Sequence, residues 1–208
     1  MKKLLLLSLF LSTTCYTTPI KGITETGDEV LLKDDGTWCY LNSKVTQVEK
    51  IKTNPTKFTR PPMSTFPVKS TKNKSEVWID AKKWSFKKSK NGATEYTFSF
   101  KEGDLYGMII NESIGMELEG LTEVAFENAK KVAADTKIIQ KEYRYVNGKK
   151  VIFMQMEGTI SGLKFTYFGY YFSNDSGMTQ LIAYTGTSAV KRYKSEMEDF
   201  LNGFMVRD

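Results

Sequence analysis

Histidine is missing altogether from this sequence of 208 residues. Without an imidazole there is no Ser–His–Asp or Cys–His nucleophilic site, no His-ligated zinc and no histidine acid–base step. A Ser/Lys pair and paired carboxylates are the hydrolytic chemistries left open. Cysteine is almost as scarce, with Cys15 and Cys39 alone. If Cys15 leaves with a cleaved leader, Cys39 has no intramolecular partner and is expected to be a small buried apolar side chain. A Cys15–Cys39 bridge requires that Cys15 survive unmodified. No later apolar run approaches the roughly 20 residues that a membrane-spanning helix needs. Proline is rare as well, and four of the five prolines, Pro55, Pro61, Pro62 and Pro67, fall close together.

What is present begins with a leader. The opening "MKKLLLLSLFLSTTCYTTP" has a charged start (Lys2, Lys3), a short apolar stretch from Leu4 to Leu11, then small polar residues. That is the pattern of a secretory signal peptide, expected over residues 1–15, and it implies an exported protein of the periplasm or cell envelope. Cys15 is the candidate lipidation site. A lipoprotein signal carries a leucine three residues before its cysteine, whereas here Leu11 stands four before. Lipid anchoring at Cys15 and simple cleavage near Thr14–Thr17 both stay open, and only the first attaches the chain to a membrane.

The formal charge of +6 is unevenly spread. Residues 44–90 carry 13 Lys/Arg against 3 Asp/Glu, while residues 91–208 carry 13 against 16. The basic character therefore belongs to one segment. With its prolines and sparse apolar residues, the stretch 42–75 reads as an extended basic linker. It is either a solvated spacer or an arm for an anionic membrane or wall polymer.

Ahead of it, residues 20–41 read as a small β-hairpin unit of three short strands, with "TGD" and "DDG" as turns. A two-residue Asp35–Gly36 turn pairs Lys33 with Trp38; a three-residue loop pairs Leu32 with Trp38 instead. Asp34 and Asp35 lack the spaced oxygen ligands and distant glutamate of a calcium loop, so a turn is the better reading than a metal site. Trp38 and Tyr40 are candidate binding residues that can stack on a sugar ring; the competing reading packs them against a neighbour. A unit so small is expected to dock on something.

Beyond residue 76 the pattern alternates strands and helices. "TEYTFSF" sets Tyr96, Phe98 and Phe100 on one face. "LTEVAFENAKKVAADT" reads as a helix, and "NGKK", "SG" and "SNDSG" separate four further strands as hairpin turns. "LKFTYFGYYF" is apolar on both faces and is expected to be central and covered on both sides. "SAVKRYKSEMEDFLNGF" places Val190, Tyr193, Met197, Phe200 and Phe204 at helical spacing, with Thr187 or Ser188 to cap it and Gly203 to end it. The aromatic run Phe165–Phe172 is read as core; an exported chain with an acidic body does not suit nucleic acid.

The order β-β-β-α-β-β-β-β-α, opening with "VWIDAKKWSF", carrying "VNGKKVIFMQMEG" before "FTYFGYYF" and closing on "FLNGF", resembles the PsbP-like superfamily. That group includes the photosystem II extrinsic protein, the yeast Ran-release factor and many bacterial secreted proteins and lipoproteins. The resemblance covers residues 76–208. It implies an α+β fold with an antiparallel sheet flanked by helices, an α/β/α sandwich that serves as a binding or assembly module, with no catalytic motif to carry over and no cofactor. The "VLLKDDGTWCY" hairpin is similar to one in other exported bacterial proteins.

The expectation is thus a non-enzymatic envelope module whose partner is an envelope protein or an anionic polymer. Lys82, Lys83, Lys87 and Lys88 are candidate anion-binding residues; the competing reading makes them guards of an edge strand. Glu196, Glu198 and Asp199 are read as a solvated helix face. The alternative function is an envelope hydrolase using paired carboxylates or a Ser/Lys pair, which requires two convergent polar groups in a concave site.

Overall fold

The computed structural model describes residues 20–24, 29–32, 38–40, 51–90 and 92–207. The chain divides into two compact units, residues 1–49 and 50–208.

In the first unit, β1 (Ile20–Ile23), β2 (Glu29–Leu32) and β3 (Trp38–Tyr40) form an antiparallel meander. Leu32 pairs with Trp38, the register of the longer loop. The Asp34–Asp35–Gly36 turn itself, Cys15 and the leader lie outside the described residues.

The second unit is built on an eight-stranded sheet and two helices. Its strands are β4 (Lys52–Phe58), β7 (Trp84–Lys88), β8 (Thr94–Phe100), β9 (Leu105–Glu112), β10 (Lys137–Val146), β11 (Lys149–Ile160), β12 (Leu163–Asn174) and β13 (Gly177–Gly186). The order across the sheet is β4-β10-β11-β12-β13-β9-β8-β7, antiparallel except where β4 runs parallel to β10. A second sheet joins β14 (Phe204–Val206), β6 (Ser75–Ile79) and β5 (Phe66–Lys69). Helix α1 (Leu118–Val132) packs on β11 and β12, and α2 (Val190–Asn202) packs on β13, β12 and β6.

Two-residue turns fix the hairpin registers. Asn147 and Gly148, and again Ser161 and Gly162, all have positive φ, the mark of the type I′ turn whose twist suits flanking strands. The central strand β12 behaves as its two apolar faces require. Phe168, Tyr170 and Phe172 join the core beneath α2, and Tyr171 joins the core beneath α1. Successive residues of a strand point to opposite faces, so these two cores lie on opposite sides of the sheet.

Several expectations need correction. The stretch 42–75 is not a linker to its end, because 52–58 and 66–69 are strands. Prolines there misled: Pro55 falls where the β4–β10 register jumps, and Pro67 lies in β5, which pairs on one side only. A missing N–H costs little at a bulge or a sheet edge. Few apolar residues suffice to seat these strands, since Val68 is buried and Phe58 packs against the same core. Polar side chains do the rest. Asn54 donates to Glu142 (3.0 Å), Glu142 accepts from Arg144 (2.6 Å), and the buried Arg144 guanidinium lies between Phe153 (3.7 Å) and Phe58 (4.6 Å). The helix expected over 121–136 begins at Leu118 and ends at Val132. No side chain caps α2; a 3₁₀ turn, Thr187–Ala189, leads into it. From residue 75 on, four strands rather than three precede α1, and β14 follows α2, where Gly203 stops the helix. A Cβ on Gly203 would lie 2.1 Å from the Trp78 carbonyl oxygen, so only glycine lets the chain turn there to pair with β6. Among the described residues no helix is long and apolar enough to cross a membrane.

Candidate functional site

One concavity of the second unit is a cleft of about 380 Å³ on the α2 side of the large sheet. One wall is the loop after β4, where Pro61, Pro62 and Met63 form a turn closed by the Ser64 N–H donating to the Pro61 carbonyl (3.0 Å). Asp80 organises a second wall, the turn between β6 and β7. Its carbonyl accepts from the N–H groups of Lys83 and Trp84, and its side chain accepts from the Lys82 N–H (2.8 Å). The floor is apolar: Ile79, Trp84 and Phe200, the last two rings stacked at 4.5 Å. Glu196 and Asp199, three apart on α2 and hence neighbours on one helix face, line the remaining side.

Five charged groups border this space: Arg60, Lys83, Asp80, Glu196 and Asp199. Lys83 Nζ donates to Glu196 Oε1 at 2.7 Å, and that bond is the main cause that raises the lysine pKa above its ordinary value. A lysine engaged in this way, with its pKa raised rather than lowered, is poorly suited to take a proton from Ser64. Arg60 spreads its guanidinium over the Trp78 ring at 4.2 Å, and the Trp78 indole is itself fixed by donating to Glu76 Oε1 (2.6 Å). Among the described residues neither Arg60 nor Asp199 forms an ion pair, and Asp199 accepts no hydrogen bond. Burial, then the negative charge of Glu196, push the Asp199 carboxyl above the usual range, against the pull of Lys83.

The lysines proposed from sequence are not gathered into one strip. Lys83 is at the cleft but engaged. Lys82 is exposed on the turn, and Lys87 and Lys88 are exposed on β7, the edge of the large sheet. As adjacent strand residues they point to opposite faces. Trp38 and Tyr40 lie in β3, and their side chains are outside the described residues. The helix face 196–199 was read as solvated, yet Glu196 and Asp199 line the cleft.

Two features had no place in the sequence reading. Arg60 stood inside the supposed linker. Glu95, 4% exposed, accepts four hydrogen bonds, from Ser70 Oγ (2.8 Å), Thr71 N (2.7 Å), Thr71 Oγ1 (2.8 Å) and Asn111 Nδ2 (2.9 Å). Desolvation pushes its pKa up, but these donors outweigh it and hold the carboxyl below the usual range. The only signal was an acidic residue near the start of a period-two strand, where the β8–β9 register is irregular at Thr94/Tyr96. A second hollow, of about 610 Å³, lies between the Gly162 turn and Thr187, bordered by Tyr106, Leu163 and Phe165. Tyr106, Tyr184 and Tyr167 stack beside it at 5.6 Å spacings across three strands. Among the described residues no group of three His, Cys, Asp or Glu is placed to hold a metal ion.

No family model and no curated protein matches the sequence. Solved structures do. The chain is similar to cyanobacterial PsbP (CyanoP) from Synechocystis sp. PCC 6803, with 12% identity, 71% of this chain and 95% of that one covered, and a TM-score of 0.53. It is also similar to LpqN, involved in cell envelope biogenesis of Mycobacterium tuberculosis, with 8% identity, coverage of 69% and 90%, and a TM-score of 0.50. A protein of unknown function from Pseudomonas aeruginosa, PA94, shares 10% identity over 69% of this chain and 97% of its own, at a TM-score of 0.44. At such identities the likeness is one of fold.

Proposed function

We propose that this chain, PsbP-like in fold over about 70% of its length, is a non-enzymatic binding or assembly module of the bacterial cell envelope, built as the α/β/α sandwich of that fold. One observation carries the reading: in the cleft the lysine is bound to Glu196, and the sequence holds no histidine to serve in its place. A binding role uses what remains, an apolar floor with a few fixed charges, which is the composition of a ligand pocket. Export follows from the leader, and the envelope role of LpqN fits such a location. The partner is an envelope protein or an anionic polymer, the latter served by Lys82, Lys87 and Lys88. A lipid anchor at Cys15 is the proposed route to the membrane.

A second reading, a hydrolase with paired carboxylates, is favoured by one feature, the neighbouring Glu196 and Asp199. One purified preparation separates the two. Incubated with peptidoglycan and with model esters, the mature protein is expected to release no product while retaining a folded spectrum. Release that disappears in Asp199→Asn would overturn the module reading. Intact mass of the mature protein decides between the two routes: a diacylated or triacylated Cys15 at its N-terminus establishes the anchor, and a start beyond residue 15 establishes simple cleavage.

A further inference from the structure

The charges of the cleft do not cancel in place. Arg60 and Asp199 border the same space and carry opposite signs, yet no ion pair joins them. Lys83 and Glu196 neutralise one another, and one oxygen of Asp80 is taken by the Lys82 N–H. What is left facing the cavity is one cation held against an indole, the Asp80 carboxylate with N–H donation to one oxygen, and the Asp199 carboxylate with no donor, set on an apolar floor of Ile79, Trp84 and Phe200. A carboxylate withdrawn from water without a donor is costly, and a folded chain ordinarily relieves the cost with its own groups, as it does for Glu95. At the half-buried Asp199 solvent alone supplies that relief, and the donors of a ligand can take its place.

We infer that the cleft binds a small zwitterion: a free amino acid or short peptide whose ammonium meets Asp199, whose carboxylate meets Arg60, and whose apolar body lies on Trp84 and Phe200. This rests on the binding-module reading and names its ligand. The chemistry selects the class in three ways. Guanidinium is the cation best shaped for a carboxylate, which it grips with two parallel N–H donors. An ammonium supplies the donors that Asp199 lacks and relieves the repulsion from Glu196. The five bordering side chains sum to one negative charge, three carboxylates against two cations, so a simple anion is disfavoured. That balance also removes the reason to place a phosphate-like ligand on Lys83. A volume near 380 Å³ lies at the small end of ligand pockets, about 300–1,000 Å³.

The test is calorimetric titration of the full mature chain with L-leucine and with the dipeptide leucyl-alanine, the latter also as its N-acetyl and its C-terminal amide forms. At least one zwitterion is expected to bind, and each blocked dipeptide to bind roughly tenfold or more weakly than the parent, the scale of one lost charge-assisted contact. Asp199→Asn is expected to erase the difference between parent and N-acetyl forms, and Arg60→Gln the difference between parent and amide. Lys130→Ala, on α1 across the sheet from the cleft, is expected to change neither. Circular dichroism melting of each variant separates lost contact from lost fold. Equal binding of parent and blocked forms, or no heat from any zwitterion in a folded protein, overturns the inference and leaves the module reading standing. Hydrolysis of the dipeptide overturns the module reading and leaves the ligand class standing. Leucine alone or the dipeptide alone in the titration tells which source of the zwitterion the cleft fits.

Discussion

Glu95 and Asp199 are both carboxylates drawn away from water in the same unit, and the protein treats them oppositely. Around Glu95 four donors converge, and the pKa falls below the usual range. The network runs on: Asn111 accepts from Thr179 (2.7 Å), Thr179 meets Ser75 (2.7 Å), and Asn73 donates to the Met178 carbonyl (2.9 Å). These bonds tie the loop after β5 and the start of β6 to β8, β9 and β13. Around Asp199 no donor stands, and its pKa rises. A saturated polar group is a rivet; an unsaturated one in a concavity is a place for something else.

Breaking the rivet has the largest expected effect. Glu95→Ala strips the acceptor from Asn111, Ser70 and Thr71 inside the fold, and is expected to cost about 3 kcal/mol or more in urea unfolding, since bonds to a charged group are worth about 1.5–3 kcal/mol each. The corresponding cut at the cleft, Asp199→Asn, removes a charge that the fold holds at a loss. It is expected to raise stability slightly at neutral pH, by about a few tenths of a kcal/mol given solvent screening at a half-buried site. Opposite signs for two carboxylate removals sharpen the contrast; a loss of several kcal/mol at Asp199 would break it.

Next in size is Gly107→Ala. A Cβ there would stand 2.7 Å from the Phe200 ring, which is both core and cleft floor. Overpacking of this kind costs about 1–3 kcal/mol. Because the ring has to shift, zwitterion affinity is expected to fall along with the melting temperature, whereas Glu95→Ala lowers the melting temperature alone.

Acid separates the two groups by the sign of their pKa shifts. Glu95 has its folded pKa lowered, so its contribution is present above the unfolded carboxylate pKa and is lost as pH falls through the folded value. Asp199 has its folded pKa raised, so its contribution is greatest below the unfolded pKa and is lost as pH rises through the folded value. A plot of unfolding free energy against pH is therefore expected to fall on the far acid side and to flatten there in Glu95→Gln. The shallow decline from mildly acid pH toward neutrality is expected to vanish in Asp199→Asn.

The share of this that was readable in the sequence follows the reach of the interactions. Strands and helices with a clear period were legible: the alternation of 94–100, the two-faced 163–172, the spacing of Tyr193, Met197 and Phe200. Each depends on residues within a turn or two of one another. Most helices and strands of residues 76–208 came from that local signal, and the PsbP-like fold from the resemblance of their order. β4 and β5 were hidden because a sheet edge asks little of its own sequence, and Pro55 and Pro67 argued against strands that only a bulge and a one-sided pairing allow. The cleft was hidden more deeply. Arg60, Lys83 and Asp199 come from three distant segments, and none has a motif around it. Absence was the better guide, since the missing histidine removed most nucleophilic chemistries before any geometry was known.

Lys83 and Glu196 give the smallest expected change in stability and the finest probe of the cleft. Both side chains keep partial contact with water, 39% and 25% exposed, and a pair of that kind is worth about 0–1 kcal/mol. Lys83→Met is therefore expected to leave the melting temperature almost unaltered. Its electrostatic effect is larger than its energetic one. Lys83 now draws the Asp199 pKa down while Glu196 and burial push it up. With the lysine gone, Glu196 loses its partner and the repulsion between the two carboxylates stands unopposed, so the Asp199 carboxyl resonance should titrate at higher pH in an NMR series. A bound zwitterion should reverse that displacement, because its ammonium restores a positive charge beside Asp199. An Asp199 titration that ignored both the loss of Lys83 and the arrival of ligand would mean that the cleft charges do not act on one another, and the contrast with Glu95 would then rest on burial alone.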